Sequence, residues 1–284
     1  MKNYLIINKN AIDTNLELIE GFYIIDKDIH LDVEVNDNVD CLKLYFKDNV
    51  NASITKIFNV SSEEAFNFEY RVGANAIINE FVLVDKEDLN IKYNKKVNVE
   101  KNANYEASNG FFIDGNVHLD VNVDLLGERA QSLHNVASIA NNDDKKEYFV
   151  KINNIGRHTH GELNNFGVVK DSATLTFEGV GYIKHGAIEA IAHQESKIIT
   201  FDPGVKANAN PLLIIDEAEV AEASHAAAVG KMDEEQLYYM QSRGIDFDSA
   251  SQLITFGYLK PILNKIDNLE LKEKLNNLIE EKVK

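Results

Sequence analysis

Cysteine, proline and tryptophan are scarce in this sequence of 284 residues, which has one cysteine, three prolines and no tryptophan. A single cysteine excludes a disulfide within the chain and a metal cage built from several thiolates of this chain alone. Sparse cysteine is typical of a reducing compartment, and we therefore expect a cytoplasmic protein. Cys41 lies in an apolar, strand-like run. We expect its side chain to be buried and structural rather than reactive.

Long hydrophobic runs and an excess of positive charge are also missing. No run approaches the roughly 18 apolar residues of a membrane helix, and the first residues lack the pattern of a secretory signal. Acidic residues outnumber basic residues by 46 to 29, which gives a formal charge of −17. Because so acidic a surface repels phosphate groups, we do not expect a nucleic acid as partner. The lack of a long apolar run leads us to expect no membrane as partner.

Short strand-like runs fill most of the chain. Leu42–Phe46 is one example, and the run Val117–Leu125 alternates apolar and polar residues with period two. Asn, Asp and Gly separate the runs, as turns require. Many strands without intervening helices indicate a sandwich, a barrel or a β-helix. No strict internal repeat is visible that would choose among these three folds.

Helical spacing replaces strand alternation in the last part of the chain. Asp233 is placed to cap the N-terminus of a helix, and Gly244 is placed to end it. A second helix is expected to end near Gly257, and a third, amphipathic segment follows it. The pattern therefore divides the chain into a β-rich domain, residues 1–230, and a helical region, residues 231–284.

Histidines and glycines offer few catalytic motifs. His158 and His160 would share one face of a strand, and Glu162 would continue that face. Ligands spaced roughly 6–7 Å apart cannot close around a metal without neighbouring strands, so we interpret this segment as a polar surface or turn. Residues 179–186, GVGYIKHG, lack a following helix and are interpreted as turns rather than a phosphate loop. By pattern alone, His225 is a core or surface histidine.

From residue 134 to residue 266 the sequence resembles the SufB/SufD family of iron–sulfur cluster assembly proteins. The segments FEGVGYIKHGA, AIAHQESKIITF, PLLII and EVAEASHAAAVGKMDEEQLYYMQSRGI follow one another in the family's order. The last segment resembles the family signature at these positions: Ser224, His225, Gly230, Asp233, Leu237, Tyr239, Ser242, Arg243, Gly244 and Ile245.

The resemblance implies a mainly β fold, namely a right-handed parallel β-helix followed by a small C-terminal α-helical region. In this family two β-helix subunits pair through their C-terminal ends, and the helical region binds the ABC-type ATPase SufC. We therefore expect a SufC-like ATPase as one partner, and a SufB-like subunit or a second copy of this chain as the other. The candidate surface for the ATPase comprises Tyr238, Tyr239, Arg243, Gly244, Ile245 and Phe256.

Two departures from the SufB pattern make the chain SufD-like. SufB-like proteins carry a cysteine where this chain has Gln194, and a glutamate where Ala226 follows the signature histidine. The resemblance therefore implies a non-enzymatic assembly subunit, in which His225 supplies one ligand at the interface and the partner supplies the others. We expect no cofactor bound stably by this chain alone. Any iron–sulfur cluster at the interface would be transient.

Two other functions remain open. The chain could be a homodimeric scaffold that works with SufC alone. It could instead be a β-helix enzyme that acts on carbohydrates, which would require carboxylates clustered on one face. Asp114, Asp120 and Asp124 are the candidates for that role, although solvated turn positions explain them more simply.

Overall fold

The chain forms a parallel β-solenoid in the computed structural model, which describes residues 3–8, 11–37, 40–60, 64–84, 89–263 and 269–283. The strands are β1 (Asn3–Asn8), β2 (Ala11–Thr14), β3 (Glu17–Ile19), β4 (Phe22–Ile25), β5 (Ile29–Val35), β6 (Leu42–Phe46), β7 (Asn51–Phe58), β8 (Glu64–Val72), β9 (Ile77–Val84), β10 (Ile91–Val99), β11 (Asn104–Phe111), β12 (Val117–Leu125), β13 (Gln131–Ala140), β14 (Lys145–Asn154), β15 (His160–Val169), β16 (Thr174–Ile183), β17 (Ile191–Thr200), β18 (Lys206–Ile215) and β19 (Glu222–Lys231).

Two sheets face each other across the interior of the solenoid. One has ten strands in the order β19-β17-β15-β13-β11-β9-β7-β5-β1-β2, and the other has nine in the order β18-β16-β14-β12-β10-β8-β6-β4-β3. Successive turns thus add one strand to each sheet in alternation. The pairings are parallel except at the N-terminal end, where β1 pairs with β2 and β3 pairs with β4 in antiparallel fashion. The predicted parallel β-helix is confirmed, while its handedness stays a prediction.

The interior follows from the alternation of side chains along each strand. In β12 the residues Val117, Leu119, Val121 and Val123 are buried, while the residues between them are partly or fully exposed. Aromatic rings stack across successive turns, with centroids of Phe111 and Tyr148 separated by 5.5 Å. Burial of this apolar surface at about 25 cal/mol per Å² is the main force that holds the turns together.

One corner of the solenoid repeats a left-handed backbone conformation once per turn. These residues have φ between 56° and 64°: Asn49, Asn75, Asn102, Arg129, His158 and Glu189. Asparagine tolerates this conformation, and the amides stack, since Asn75 Nδ2 donates to Asn49 Oδ1 at 3.1 Å and Asn102 Nδ2 donates to Asn75 Oδ1 at 3.1 Å. This corner is the structural repeat that the sequence did not reveal.

Three helices follow the last strand: α1 (Glu234–Ser242), α2 (Phe247–Leu263) and α3 (Leu269–Val283). Asp233 caps α1, because its side chain accepts from the backbone N–H groups of Glu235 at 2.9 Å and Gln236 at 3.1 Å. Gly244 follows the end of α1 with φ of 87°, as predicted. The predicted end of the second helix near Gly257 is wrong. Packing of α2 outweighs the weak helix propensity of one glycine.

The second and third helices pack on the outer face of the ten-stranded sheet. Leu259, Leu275 and Ile279 are buried there against strand residues that include Phe166 and Val168. An ion pair of 2.6 Å between Lys282 Nζ and Asp114 Oδ2 fixes the end of α3. The first helix differs, because it has no buried residue. None of the helices in the described ranges is long and apolar enough to cross a membrane.

Candidate functional site

The C-terminal end of the solenoid presents the edges of both sheets. The last strand of the ten-stranded sheet, β19, pairs only with β17 among the described strands. Met232 N–H donates to Thr200 C=O at 3.0 Å, and Glu222 N–H donates to Ala190 C=O at 3.4 Å. Backbone groups alternate in direction along a strand, so the even-numbered residues of β19 face β17. The residues whose N–H and C=O face outward are Ala223, His225, Ala227, Val229 and Lys231.

The other open edge, β18, is interrupted. Lys206 N–H donates to Ala173 C=O at 2.9 Å, and Asp216 N–H donates to Ile183 C=O at 2.8 Å, so even-numbered residues face β16. Pro211 is odd-numbered and therefore stands on the open side, where it offers no N–H. Proline at such a position is typical of an edge strand that does not pair further. Of the two edges, β19 is the better template for another strand.

His225 lies at the centre of the open edge and points toward the interior. It is the register partner of Gln194, whose side chain is buried inside the solenoid. Side chains in register on parallel strands point the same way, so the imidazole occupies the next position along the interior. It is exposed because no described turn covers it. Gln194 stands at the position where SufB-like proteins have a cysteine, and this position is next to His225 on the neighbouring strand. Ala226, the other departure, is the register partner of Glu195 and lies on the outer face.

Gln194 spans the interior from one sheet to the other. Its Nε2 donates to the backbone C=O of Leu212 at 2.9 Å, in the open-edge strand β18. Two glycines make room for this amide, since a Cβ at Gly179 would lie 2.7 Å from Gln194 Oε1, and a Cβ at Gly181 would lie 2.7 Å from Nε2. Both glycines belong to β16, so the interpretation of residues 179–186 as turns is wrong for residues 179–183, whereas residues 185–186 form a turn. Two glycines at positions i and i+2 of a strand-like run indicate that a side chain from the opposite sheet occupies the space beside them.

The histidines of the 158–160 segment lie at a corner and on the outer face of the solenoid. His158 occupies the left-handed corner beside Glu189, whereas His160 begins β15, so the two do not share a strand. The interpretation of this segment as a polar surface or turn is confirmed. The ring of His160 lies 5.9 Å from that of His193, and His193 Nδ1 is 2.7 Å from Ser224 Oγ. In the ranges that the structure describes, no group of three or more His, Cys, Asp or Glu side chains could hold a metal ion.

The three candidate aspartates have different surroundings. Asp114 accepts from Lys282 and from Asn141 Nδ2 at 3.1 Å. Partial burial acts to raise the pKa of Asp114, but these hydrogen bonds outweigh it and hold the pKa below its ordinary value. Asp120 and Asp124 lie on the outer face of β12, where Asp124 accepts from Asn153 Nδ2 at 2.7 Å. Asp114 thus serves to attach α3 to the solenoid.

Cys41 immediately precedes β6. Its side chain is only partly buried, which falls short of the burial that we expected. Burial raises the pKa of its thiol. The nucleophilic thiolate is therefore disfavoured near neutral pH.

The candidate ATPase surface is largely exposed on α1. Tyr238 is 74% exposed and Tyr239 is 58% exposed, and the guanidinium carbon of Arg243 lies 5.1 Å from the centroid of the Tyr239 ring. Gly244 and Ile245 follow directly, with Ile245 partly covered. Phe256 is separated from this group, because it packs against the cluster between the second and third helices and the sheet.

A buried charged cluster inside the solenoid was missed by sequence reasoning. Glu80 accepts from Lys56 at 2.9 Å and from Lys95 at 2.5 Å, and all three side chains are fully buried. The hydroxyls of Tyr70 and Tyr105 also donate to Glu80. Burial lowers the pKa of Lys56 to about 7 and lowers that of Lys95, despite Glu80. Burial acts to raise the pKa of Glu80, but the two lysines outweigh it and the pKa is lowered. The only indication of this cluster in the sequence is that Lys56 and Lys95 each occupy a position of a strand whose side chain points inward.

Comparison with known proteins assigns the family. The family profile described as "SUF system FeS cluster assembly, SufBD core domain" matches residues 43–258. The chain belongs to this family. The iron–sulfur cluster assembly protein SufD of Bacillus subtilis is 34% identical over 184 residues, which cover 65% of this chain and 42% of that protein.

Mycobacterial relatives are more distant or match over shorter segments. An iron–sulfur cluster assembly SufBD family protein of Mycobacterium leprae is 40% identical over 77 residues, 27% of this chain and 20% of that protein. Another from Mycobacterium bovis is 26% identical over 188 residues, 64% of this chain and 22% of that protein. The chain thus spans less than half the length of these relatives. With SufD among them, it is a SufD-like member of the SufB/SufD family.

Proposed function

We propose that this SufD-like chain is a non-catalytic subunit of an iron–sulfur cluster assembly complex. In this proposal it pairs through β19 with a SufB-like subunit, binds a SufC-like ABC ATPase through α1, and contributes His225 to a nascent cluster. The single observation that carries the proposal is the open edge of β19, which has the signature histidine at its centre. The membership of the family supports the same role.

The composition of the open end supports pairing with another subunit. Unpaired strand edges are templates for further strands, and natural proteins usually cover or interrupt them. The edge of β18 is interrupted by Pro211, whereas β19 is rich in alanine and has no proline, phenylalanine, tyrosine or tryptophan that would block a close approach. Val229 of β19, which is in register with the buried Ile198, is 47% exposed. An added strand would satisfy the backbone and cover this side chain together.

The donor set around His225 supports a shared cluster rather than an autonomous one. Imidazole nitrogen and thiolate sulfur are the usual protein ligands of such clusters. Gln194 and Ala226, the immediate neighbours of His225 in register and sequence, offer neither a thiolate nor a carboxylate. The remaining ligands must therefore come from the partner, and the cluster in this proposal is the cargo of the complex.

The test is anaerobic co-expression with a SufB-like and a SufC-like protein. His225→Ala should leave the complex intact and reduce the iron–sulfur absorbance at least about tenfold. The matched control is His193→Ala, on the outer face of the neighbouring strand, which should leave the absorbance unchanged. Unchanged cluster yield in His225→Ala would sink the assignment. A cluster formed without the SufB-like protein would instead establish a homodimeric scaffold.

A further inference from the structure

The interior of the last turns contains buried polar atoms without hydrogen-bond partners. They are His134 Nδ1, Asn109 Oδ1, Asn165 Oδ1, Gln194 Oε1, Ser132 Oγ, and both the Nδ2 and Oδ1 of Asn154. Each of these residues is at most 5% exposed. All of them occupy inward positions of their strands, so the orphan atoms lie between the two sheets.

Strand register arranges these residues in two files that run toward the open end. In the first file His134 is the register partner of Leu163, which is the partner of Gln194, which is the partner of His225. In the second file Asn109 is the register partner of Val136, which is the register partner of Asn165. Successive strands lie about 4.8 Å apart, so the orphan atoms extend along the interior over roughly 15 Å.

The hydrogen bonding of His134 decides where its proton lies. Asn109 Nδ2 is 3.1 Å from His134 Nε2, and an amide nitrogen can only donate, so Nε2 is the acceptor. Burial lowers the pKa of His134 to about 3, so the ring is neutral near pH 7. The single ring proton is therefore on Nδ1, which is buried and has no acceptor. His134 Nδ1 is thus an unpaired donor, while Asn165 Oδ1 and Gln194 Oε1 are unpaired acceptors in the same interior.

A dry interior would be costly. Almost all buried polar atoms in folded proteins are paired with protein or with ordered water, because an unpaired one loses its hydrogen bond to solvent without replacement. We propose that ordered water molecules occupy the interior of the last turns and bond His134, Asn165 and Gln194. The proposal is independent of the cluster assembly role.

A crystal structure of the full chain at about 1.5 Å resolution tests the proposal. We expect a water molecule within roughly 2.6–3.2 Å of each of three atoms, His134 Nδ1, Asn165 Oδ1 and Gln194 Oε1. Empty density there, or rotamers in which these atoms bond one another directly, would overturn it. In solution, long-lived nuclear Overhauser effects between water and the amides of Asn165 and Gln194 provide a second readout.

A variant pair localises the effect. Asn165→Leu replaces the amide by an apolar side chain of similar size and should remove the water at that position while leaving the one at His134. The matched control, Leu163→Met, lies on the same strand and faces the same interior, and it should keep all the waters. Waters that persist unchanged in Asn165→Leu would contradict the assigned contact. If that variant does not fold, the wild-type density still decides.

Discussion

The two ends of the solenoid are finished differently. At the N-terminal end β2 pairs antiparallel with β1 and β3 pairs antiparallel with β4, so the parallel ladders stop in hairpins. At the C-terminal end β18 and β19 are the last strands of their sheets. The ladders therefore end in antiparallel hairpins at one end and in parallel edge strands at the other. The signature histidine lies at the second end.

The interior of the solenoid also differs between its N-terminal half and its C-terminal half. In the first half of the chain the charges of Lys56, Glu80 and Lys95 are completely buried and pair with one another and with tyrosine hydroxyls. In the strands from β11 onward several neutral buried polar groups have no partner, while the buried Lys146 pairs with Asp144 at 3.1 Å. The first interior is complete within one chain, whereas the second calls for water and ends at an open edge.

The largest effect should come from breaking the charged interior. Glu80→Ala leaves two buried lysines without their shared carboxylate and should lower the free energy of unfolding by about 3–5 kcal/mol, as measured by denaturant titration. The control is Glu69→Ala, which removes a partly exposed pair with Lys43 and should cost less than about 1 kcal/mol. A loss below about 1 kcal/mol in Glu80→Ala would show that this interior is not held by its charges.

Acid should destabilise the neutral interior through His134. The unfolded histidine binds a proton below about pH 6.5, whereas the folded one does so only below about pH 3. Protons therefore favour unfolding between these values, and the free energy of unfolding should fall by up to about 3 kcal/mol from pH 6.5 to pH 4 through this residue. Since carboxylates also titrate there, the measurement is the difference in pH dependence between the wild type and His134→Asn. Identical profiles would show that the imidazole is not buried in neutral form.

A proline in the open strand should separate association from folding. Ala227→Pro removes an N–H that faces outward and should weaken binding to the SufB-like partner about tenfold, or about 1.4 kcal/mol, by analytical ultracentrifugation. Its neighbour Ala226 directs its N–H to β17, so Ala226→Pro should instead lower the stability of the isolated chain. Equal effects of the two variants on association would refute the assigned edge.

The smallest effect on folding is expected at the candidate ATPase surface. Tyr238→Ala truncates an exposed ring and should change the free energy of unfolding by less than about 0.5 kcal/mol. It should nevertheless weaken binding of the SufC-like ATPase at least about tenfold in calorimetric titration, as expected for an aromatic anchor. Leu253→Ala, on the exposed side of α2, is the matched control and should bind normally. Normal binding by Tyr238→Ala would remove this residue from the interface.

Sequence reasoning reached the class of fold and the order of its parts. Period-two runs such as Val117–Leu125 report the alternation of buried and exposed side chains directly, and Asp233 and Gly244 mark α1 through local capping chemistry. The resemblance to the family located His225. These features depend on a few neighbouring residues, which is why a linear pattern contains them.

Features that depend on register were out of reach. The stacking of His225 on Gln194 and the convergence of Lys56 and Lys95 on Glu80 require knowing which strand lies beside or opposite which. The left-handed corner was hidden because its spacing varies and because it is occupied by Arg129 and Glu189 as well as by asparagine. The end of α2 was misplaced because packing on the sheet, rather than Gly257, decides its length.

Residue-resolved amide hydrogen exchange, with and without the SufB-like subunit, tests the open edge most directly. In the isolated chain the amides of Ser224, Ala226 and Ala228, which face β17, should be protected, and those of His225 and Ala227 should exchange freely. In the complex His225 and Ala227 should become protected as well, which restores protection along the whole strand. A stable complex in which those two amides still exchange freely would contradict the account, because the subunits would then be joined elsewhere.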